Sequence, residues 1–454
     1  MKRLKTLFRD NSFALVVIII MNLIVLYNSF FHNPLTGYDA GSHIKNIQIY
    51  PFRLPSPEES SEYFSAPLPY MLPSIFNFVC QAFGWPNCTV WAGKIAQLIN
   101  FILSIGISIL YWKILDIFKP GNKRIKELVF LNLAILTVYY RTFSQVRGEP
   151  YIAFFVVFLI YYIIKLISNL YTVTWIDALM LGVILGLLIL SRQWGFLIFP
   201  ALGVVFITLW FKNKDIRIGL LKFCLLTLII TLFIGGWFYL HLYIQYGSIT
   251  AFNLESPGFH FSNLPNSFYR TTGLQNYMLF TYPVRPNFDF TLYPILYSDT
   301  WGDYWAYFSY RRNAENALQT QSYLGRVNIV SIFPSLLILI SLIGSIYLIV
   351  KNITKNKISN ETVFGIFQIS MIFFTMLGFL WFLISYPEKT NGDTNKATYI
   401  IQVFMVLPLL TSIFLERILK TRDWIYSILT ITYLLVLIHN FQAFLTKFYW
   451  INLF

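Results

Sequence analysis

The side chains able to do chemistry are few, and they fall in short polar stretches between long apolar runs. Thr36-Gly-Tyr-Asp-Ala-Gly-Ser-His-Ile-Lys-Asn-Ile47 sets the carboxylate of Asp39 four residues before the imidazole of His43, which a helix would bring onto one face. A carboxylate held by an imidazole can take the proton of an attacking hydroxyl. Asp39 also suits the cap of a helix starting at Ala40. Arg141-Thr-Phe-Ser-Gln-Val-Arg-Gly-Glu-Pro-Tyr151 supplies Glu149, either a second carboxylate facing Asp39 or a helix-end residue paired with Arg147. Arg192, in Leu190-Ser-Arg-Gln-Trp-Gly195, and Lys396, ahead of Tyr399, place cations where a phosphate headgroup would lie; snorkelling and span anchoring are the alternatives. Arg311 and Arg312 are the next candidates for the same phosphate. Tyr297-Ser-Asp-Thr-Trp-Gly-Asp-Tyr-Trp-Ala-Tyr307 carries Asp299, Asp303 and Trp301, a mixture suited to sugar hydroxyls and faces or to a small aromatic core.

The elements that must position these groups are membrane spans. The chain has 454 residues, 57% of them apolar and only 12% charged, against about a quarter charged in soluble domains. Its apolar blocks are long enough to cross hydrocarbon, which excludes soluble enzyme folds and disorder, and three cysteines exclude a disulfide scaffold. About eleven transmembrane helices are expected, near 13–31, 92–113, 127–141, 150–167, 176–192, 195–211, 219–244, 327–350, 361–385, 399–415 and 424–445. The basic start, Lys2, Arg3, Lys5 and Arg9, puts the N-terminus in the cytoplasm. With that orientation basic residues crowd into short inner loops such as Lys119–Lys126 and Lys351–Lys357. The net charge of +14 is therefore an orientation signal and not a nucleic-acid footprint.

Two outer segments are long, the first extracytoplasmic loop at 32–91 and the fourth at 245–326. Loops of that length are usually functional, and their aromatic content argues against disorder. Ala66–Cys80 is too short and proline-broken to span, and fits a helix lying at the interface. Cys80 and Cys88 lie on the outer side, where a disulfide can form, and Cys224 reads as core.

A first span, an outer Asp with a His shortly after it and an interfacial helix together resemble the GT-C superfamily of membrane glycosyltransferases. Arg147-Gly-Glu-Pro-Tyr151 resembles the acidic motif in the second outer loop of protein mannosyltransferase-like and aminoarabinose transferase-like members (glycosyltransferase family 39-like). Gly182-Val-Ile-Leu-Gly-Leu-Leu-Ile-Leu-Ser-Arg192 is similar to their Gly-rich span ending in a basic residue, and Asp393-Thr-Asn-Lys-Ala-Thr-Tyr399 with Pro408 to their late Lys-x-x-Tyr and proline pattern. Many relatives carry Asp-Glu where this chain has Asp39-Ala40.

The resemblance implies one all-α, GT-C-like transmembrane domain over 1–454, without a separate C-terminal soluble domain and with 245–326 as a lid. It implies an inverting transferase that moves a sugar from a polyprenyl-phosphate donor to a hydroxyl of a glycan, lipid or protein on the extracytoplasmic face. Asp39 would be the base, with His43 and Glu149 beside it. Arg192, Lys396, Arg311 and Arg312 would bind the donor phosphate, and Arg147, Tyr38, Asp299, Asp303, Trp301 and Tyr399 would touch sugar or acceptor. No cofactor is required by this scheme, no metal ligands are assigned, and the resemblance leaves a divalent metal open. The setting would be the cell membrane, crossed many times and in contact with its lipid, or the endoplasmic reticulum membrane in a eukaryote. The competing reading is a polytopic transporter or lipid-linked sugar flippase. It is disfavoured by ionisable residues that gather at outer span ends instead of lining a path.

Overall fold

The computed structural model describes residues 11–169, 174–285, 291–308, 317–387 and 394–446. All regular structure among them is helical. In chain order the helices are α1 Ser12–Phe31, α2 Ala40–Ile49, α3 Leu68–Ala82, α4 Cys88–Phe118, α5 Lys123–Ala134, α6 Thr137–Ser144 and α7 Glu149–Ser168. Then come α8 Trp175–Ile189, α9 Phe199–Lys212, α10 Arg217–Thr231, α11 Trp237–Tyr246, α12 Asn266–Tyr269, α13 Gly273–Thr281 and α14 Leu292–Trp301. The last are α15 Ala317–Val330, α16 Ile332–Thr354, α17 Asn360–Ser385, α18 Ile401–Leu419 and α19 Asp423–Asn440.

Among the described residues nine helices are long and apolar enough to cross a bilayer, so the chain is a multi-pass membrane protein. Two of the stretches expected to span take a different form among the described residues. The stretch at 127–141 is two short helices, α5 and α6, broken at Ile135-Leu136. That break is buried within the bundle, and the Tyr140 hydroxyl donates to the freed Ala134 carbonyl at 2.7 Å, so backbone that lipid would not tolerate finds its partner in protein. The stretch at 176–192 is the 15-residue α8, shorter than a standard crossing. Its start is fixed by a capping box, in which Thr174 and Asp177 satisfy each other's backbone N–H groups. Close packing of α8 on the helix of 214–246 needs its glycines: a Cβ at Gly182 would lie 2.7 Å from Cβ of Ile230.

Burial differs widely along the bundle. The window of the Ala397–Leu419 crossing is 89% buried and that of α7 72%, whereas the Thr320–Thr354 and Asp423–Phe444 crossings bury only 17% and 22%. The two central helices are therefore α7 and α18, and the poorly buried ones present their apolar sides outward. Glu149 opens α7 and Lys396 immediately precedes the 3₁₀ turn Ala397–Ile400 that leads into α18. The bundle core thus delivers a carboxylate and an ammonium to the same end.

Of the expected loop features, the helix at 66–80 is α3. It buries Tyr70, Ser74, Asn77 and Cys80 on one side and leaves Met71, Leu72, Ile75, Phe78 and Val79 exposed on the other. Cys80 and Cys88 form a disulfide joining the end of α3 to the start of α4, and Cys224 is half-buried in α10.

Candidate active site

The site lies where α1 and α8 end and where α7 and the turn into α18 begin. The chain leaving α1 is tied down first. The Lys94 ammonium donates to the carbonyls of Ser29 and Phe30 at 2.9 Å and to that of His32, a cation on the negative end of the helix dipole. His32 bonds Thr446 at 2.9 Å and the Thr36 carbonyl at 3.0 Å. This delivers Tyr38 and Asp39 to a fixed place. Asp39 itself has φ +51°, in the left-handed region. Its backbone carbonyl accepts from Ser42 and His43, while its side chain makes no cap bond. The capping alternative thus holds for the backbone of Asp39 and not for its carboxylate.

That carboxylate instead meets Lys396, whose Nζ lies 3.0 Å from Oδ2. Lys396 also donates to the Tyr399 hydroxyl at 3.5 Å and sits 5.0 Å from the Tyr38 ring centroid and 5.5 Å from that of Tyr399. Burial would raise the Asp39 pKa, but the Lys396 ammonium, with His43 and Arg147 behind it, holds the carboxyl well below its usual range. Burial pulls the other way on Lys396, where Tyr399 and Asp39 keep the ammonium well above its ordinary value. The result is a firmly ionised pair.

Two residues far apart in sequence are aligned by a third. Asp299, at the end of α14, accepts the Tyr38 hydroxyl on Oδ1 at 2.9 Å and the Ala397 N–H on Oδ2 at 2.7 Å. The neighbours of Asp39 and Lys396 are thus held on one carboxylate. Asp299 is in turn neutralised by Arg141, 3.0 Å away, whose other arm lies 3.9 Å from Asp303. All three side chains are fully buried, and Trp301 is packed into the main core. Asp299, Asp303 and Trp301, expected to contact sugar, are buried: the two aspartates face Arg141 and Trp301 packs in the core. Asp303 also lies beyond the end of α14, so the two aspartates share Arg141 and not a helix face.

On the other side of Lys396 runs a buried chain of alternating charge. Arg147 embraces Glu149 with two bonds, Nε to Oε2 at 2.7 Å and Nη2 to Oε1 at 2.9 Å. Glu149 Oε1 also lies 3.1 Å from Arg192 Nε, and Arg192 Nη1 is 3.1 Å from Glu62 and donates to Ser65 at 3.0 Å. Gly148 permits the approach: a Cβ there would fall 2.2 Å from the Ser191 carbonyl oxygen. Pro150 in the first turn of α7 and Glu149 at its positive end follow the sequence pattern. Arg192 does not snorkel. It is buried and ion-paired with Glu62 and Glu149, and so ties the first outer loop to α7.

His43 is buried in α2 and bonds through Nδ1 to the Tyr70 hydroxyl at 2.7 Å, while its Nε2 has no hydrogen-bond partner. It therefore supports Asp39 through space rather than by the direct bond the spacing suggested. Burial lowers its pKa to about 4, with Arg192 and Arg147 adding to the shift and Glu62 and Asp39 opposing it, so the imidazole is neutral at neutral pH. Arg147 stacks over Tyr38 and Tyr399 at 5.3 and 5.5 Å, and Tyr399 also packs on Trp194. Arg311 and Arg312 lie outside the described residues. Glu62, Arg141, Tyr70 and Lys94 were not among the sequence candidates. Glu62 stands in Glu58-Glu-Ser-Ser-Glu62-Tyr-Phe64, where nothing but the aromatic pair after it separates it from two solvated neighbours.

Accessibility singles out one group. The Asp39 side chain is 33% exposed, while those of Lys396, Arg147, Glu149, Arg192 and Glu62 are at most 6% exposed. A molecule arriving at the cluster meets Asp39, with Lys396 directly behind it.

Among the described residues no three His, Cys, Asp or Glu side chains converge as metal ligands. Asp39, Glu149 and Glu62 each face a cation within 3.1 Å.

No protein-family model matches the chain, and no curated protein matches its sequence. Solved structures do match. The archaeal oligosaccharyltransferase AglB from Archaeoglobus fulgidus, in complex with an inhibitory peptide and a dolichol-phosphate, superposes with a TM-score of 0.50 at 15% identity over 97% of this chain. The same species' enzyme tethered to an acceptor peptide containing the NVT sequon gives 0.52 at 15% identity over 96%, and its complex with Zn and sulfate gives 0.50 at 16% over 95%. The likeness is one of fold. These neighbours are GT-C-type membrane glycosyltransferases, as the sequence motifs led one to expect. The chain spans little more than half of their length, 56%, 56% and 53% respectively.

Proposed function

We propose that the protein is an integral membrane glycosyltransferase that moves a sugar from a polyprenyl-phosphate donor to an acceptor hydroxyl, at the extracytoplasmic face of the cell membrane or, in a eukaryote, of the endoplasmic reticulum membrane. The observation that carries this reading is the ion pair of Asp39 and Lys396, a partly open carboxylate backed by a buried ammonium. A donor with a long isoprenoid gains ~0.8 kcal/mol of membrane affinity per buried CH₂, so the enzyme must meet it at the lipid surface. The exposed apolar side of α3 suits a helix resting on that surface beside the site.

The chemistry divides between the two partners. The acceptor O–H attacks the anomeric carbon from the side opposite the phosphate. The new C–O bond forms as the old one to the phosphate oxygen breaks, inverting the centre. Asp39 takes the proton, a step worth typically 10²- to 10⁴-fold. The leaving polyprenyl phosphate carries the negative charge away, and Lys396 stabilises it as it develops. Arg147, stacked between Tyr38 and Tyr399, adds positive potential from behind, while Glu149, Arg192, Glu62 and His43 fix the geometry. Asp299, from the long outer segment, aligns Tyr38 and Ala397 from behind.

The neighbours' dolichol-phosphate and acceptor peptide support a lipid-linked donor; the acceptor class here, a glycan, lipid or protein, is for experiment to name. The test is to incubate membranes containing the protein with a panel of labelled lipid-linked sugars and identify products by mass spectrometry. A glycosylated product dependent on the protein is expected. No product from any donor, with movement of the labelled lipid between leaflets instead, would favour a flippase.

A further inference from the structure

We infer that Lys396 occupies the functional place of a divalent cation, so that the site engages the phosphate of a lipid-linked donor through the chain's own ammonium and without a metal. The inference rests on the glycosyltransferase reading. A metal in such a site would bridge a carboxylate and a phosphate oxygen, and Lys396 is placed to do the same. It touches Asp39 at 3.0 Å and Tyr399 at 3.5 Å, and an ammonium has three donors, so one N–H is free for a phosphate oxygen. The two arginines nearby are committed: Arg147 to Glu149 and Gln145, Arg192 to Glu149, Glu62 and Ser65. Lys396 is the cation that borders Asp39, the most open carboxylate among the described residues of the site. The Tyr38 and Tyr399 rings hold its charge in place before the donor arrives. This sets the chain apart from its structural neighbour, which is known in complex with Zn and sulfate.

The experiment uses the full chain in lipid nanodiscs, with empty nanodiscs as control, and farnesyl phosphate as the probe, its binding followed by calorimetry in EDTA and in millimolar MnCl₂. Binding should agree between the two conditions within about twofold. Lys396→Gln should weaken it by roughly ten- to a hundredfold, the range for losing a hydrogen bond to a charged group, and Lys396→Arg should recover most of the loss. Electron paramagnetic resonance on the wild-type protein gives a reading that does not depend on how the variants fold: Mn²⁺ should stay free in solution. Farnesyl phosphate binding that requires Mn²⁺, or one bound Mn²⁺ per chain that disappears in Asp39→Asn, would overturn the inference. Binding in neither condition would instead sink the glycosyltransferase reading beneath it.

Discussion

Replacing Glu149 with glutamine tests how the site is held together. The carboxylate serves two buried guanidiniums, Arg147 through bonds of 2.7 and 2.9 Å and Arg192 at 3.1 Å. Arg192 keeps Glu62 as a counterion, but Arg147 is left with the amide oxygen of Gln145 at 3.3 Å and two aromatic faces. Breaking a buried pair by removing one partner costs about 3–5 kcal/mol, because the other charge stays buried without compensation. Glutamine keeps one acceptor oxygen, which places Glu149→Gln near ~3 kcal/mol. Denaturant unfolding in detergent, followed by circular dichroism, measures the loss. Adding Arg147→Met should return ~2 kcal/mol, a coupling of the size seen between directly bonded groups. A Glu149→Gln protein within about 1 kcal/mol of wild type, or a double variant whose loss is the sum of the two singles, would refute the claim that this ion chain braces the site.

Two further predictions follow from neighbouring groups. His43 binds its proton near pH 4 in the folded protein and near 6.5 when unfolded, so between those values the unfolded state holds more protons and stability falls as pH falls. Stability measured against pH should therefore drop more steeply from 6.5 to 4 in wild type than in His43→Gln; parallel curves would contradict the buried neutral imidazole. Asp299→Asn should leave Asp39 and Lys396 chemically intact yet misaligned, since the amide cannot accept from both Tyr38 and Ala397 and keep Arg141 neutralised. Glycosyl transfer should fall at least tenfold in kcat while Lys396-dependent farnesyl phosphate binding changes little; unchanged kcat would contradict the aligning role.

The broad architecture was legible because hydrocarbon imposes it: runs of about 20 apolar residues announce themselves, and basic short loops orient them. The deviations came where protein replaced lipid as the surroundings. Ile135-Leu136 could break a span because Tyr140 supplies the missing hydrogen bond, which no apolar pattern signals. Asp39, Glu149, Arg192 and Lys396 stood out because a charge at a span end is costly without a task. What those charges do was less legible, since a partner 357 residues away leaves no local trace: the i, i+4 spacing pointed Asp39 at His43, and the fold gave it Lys396. Asp299 looked like a sugar ligand because it sits among aromatics in an outer loop. Only the path of the chain behind it reveals Tyr38 and Ala397 as the groups it serves.

The account depends most on Asp39 being the base of sugar transfer. The direct measurement is single-turnover transfer by purified Asp39→Asn, with whichever lipid-linked sugar the panel identifies, alongside farnesyl phosphate binding by the same protein. The asparagine is close to isosteric and cannot take a proton, so the rate should fall by ~10²-fold or more while phosphate binding through Lys396 persists. Transfer at the wild-type rate would contradict the assignment of Asp39 as the base.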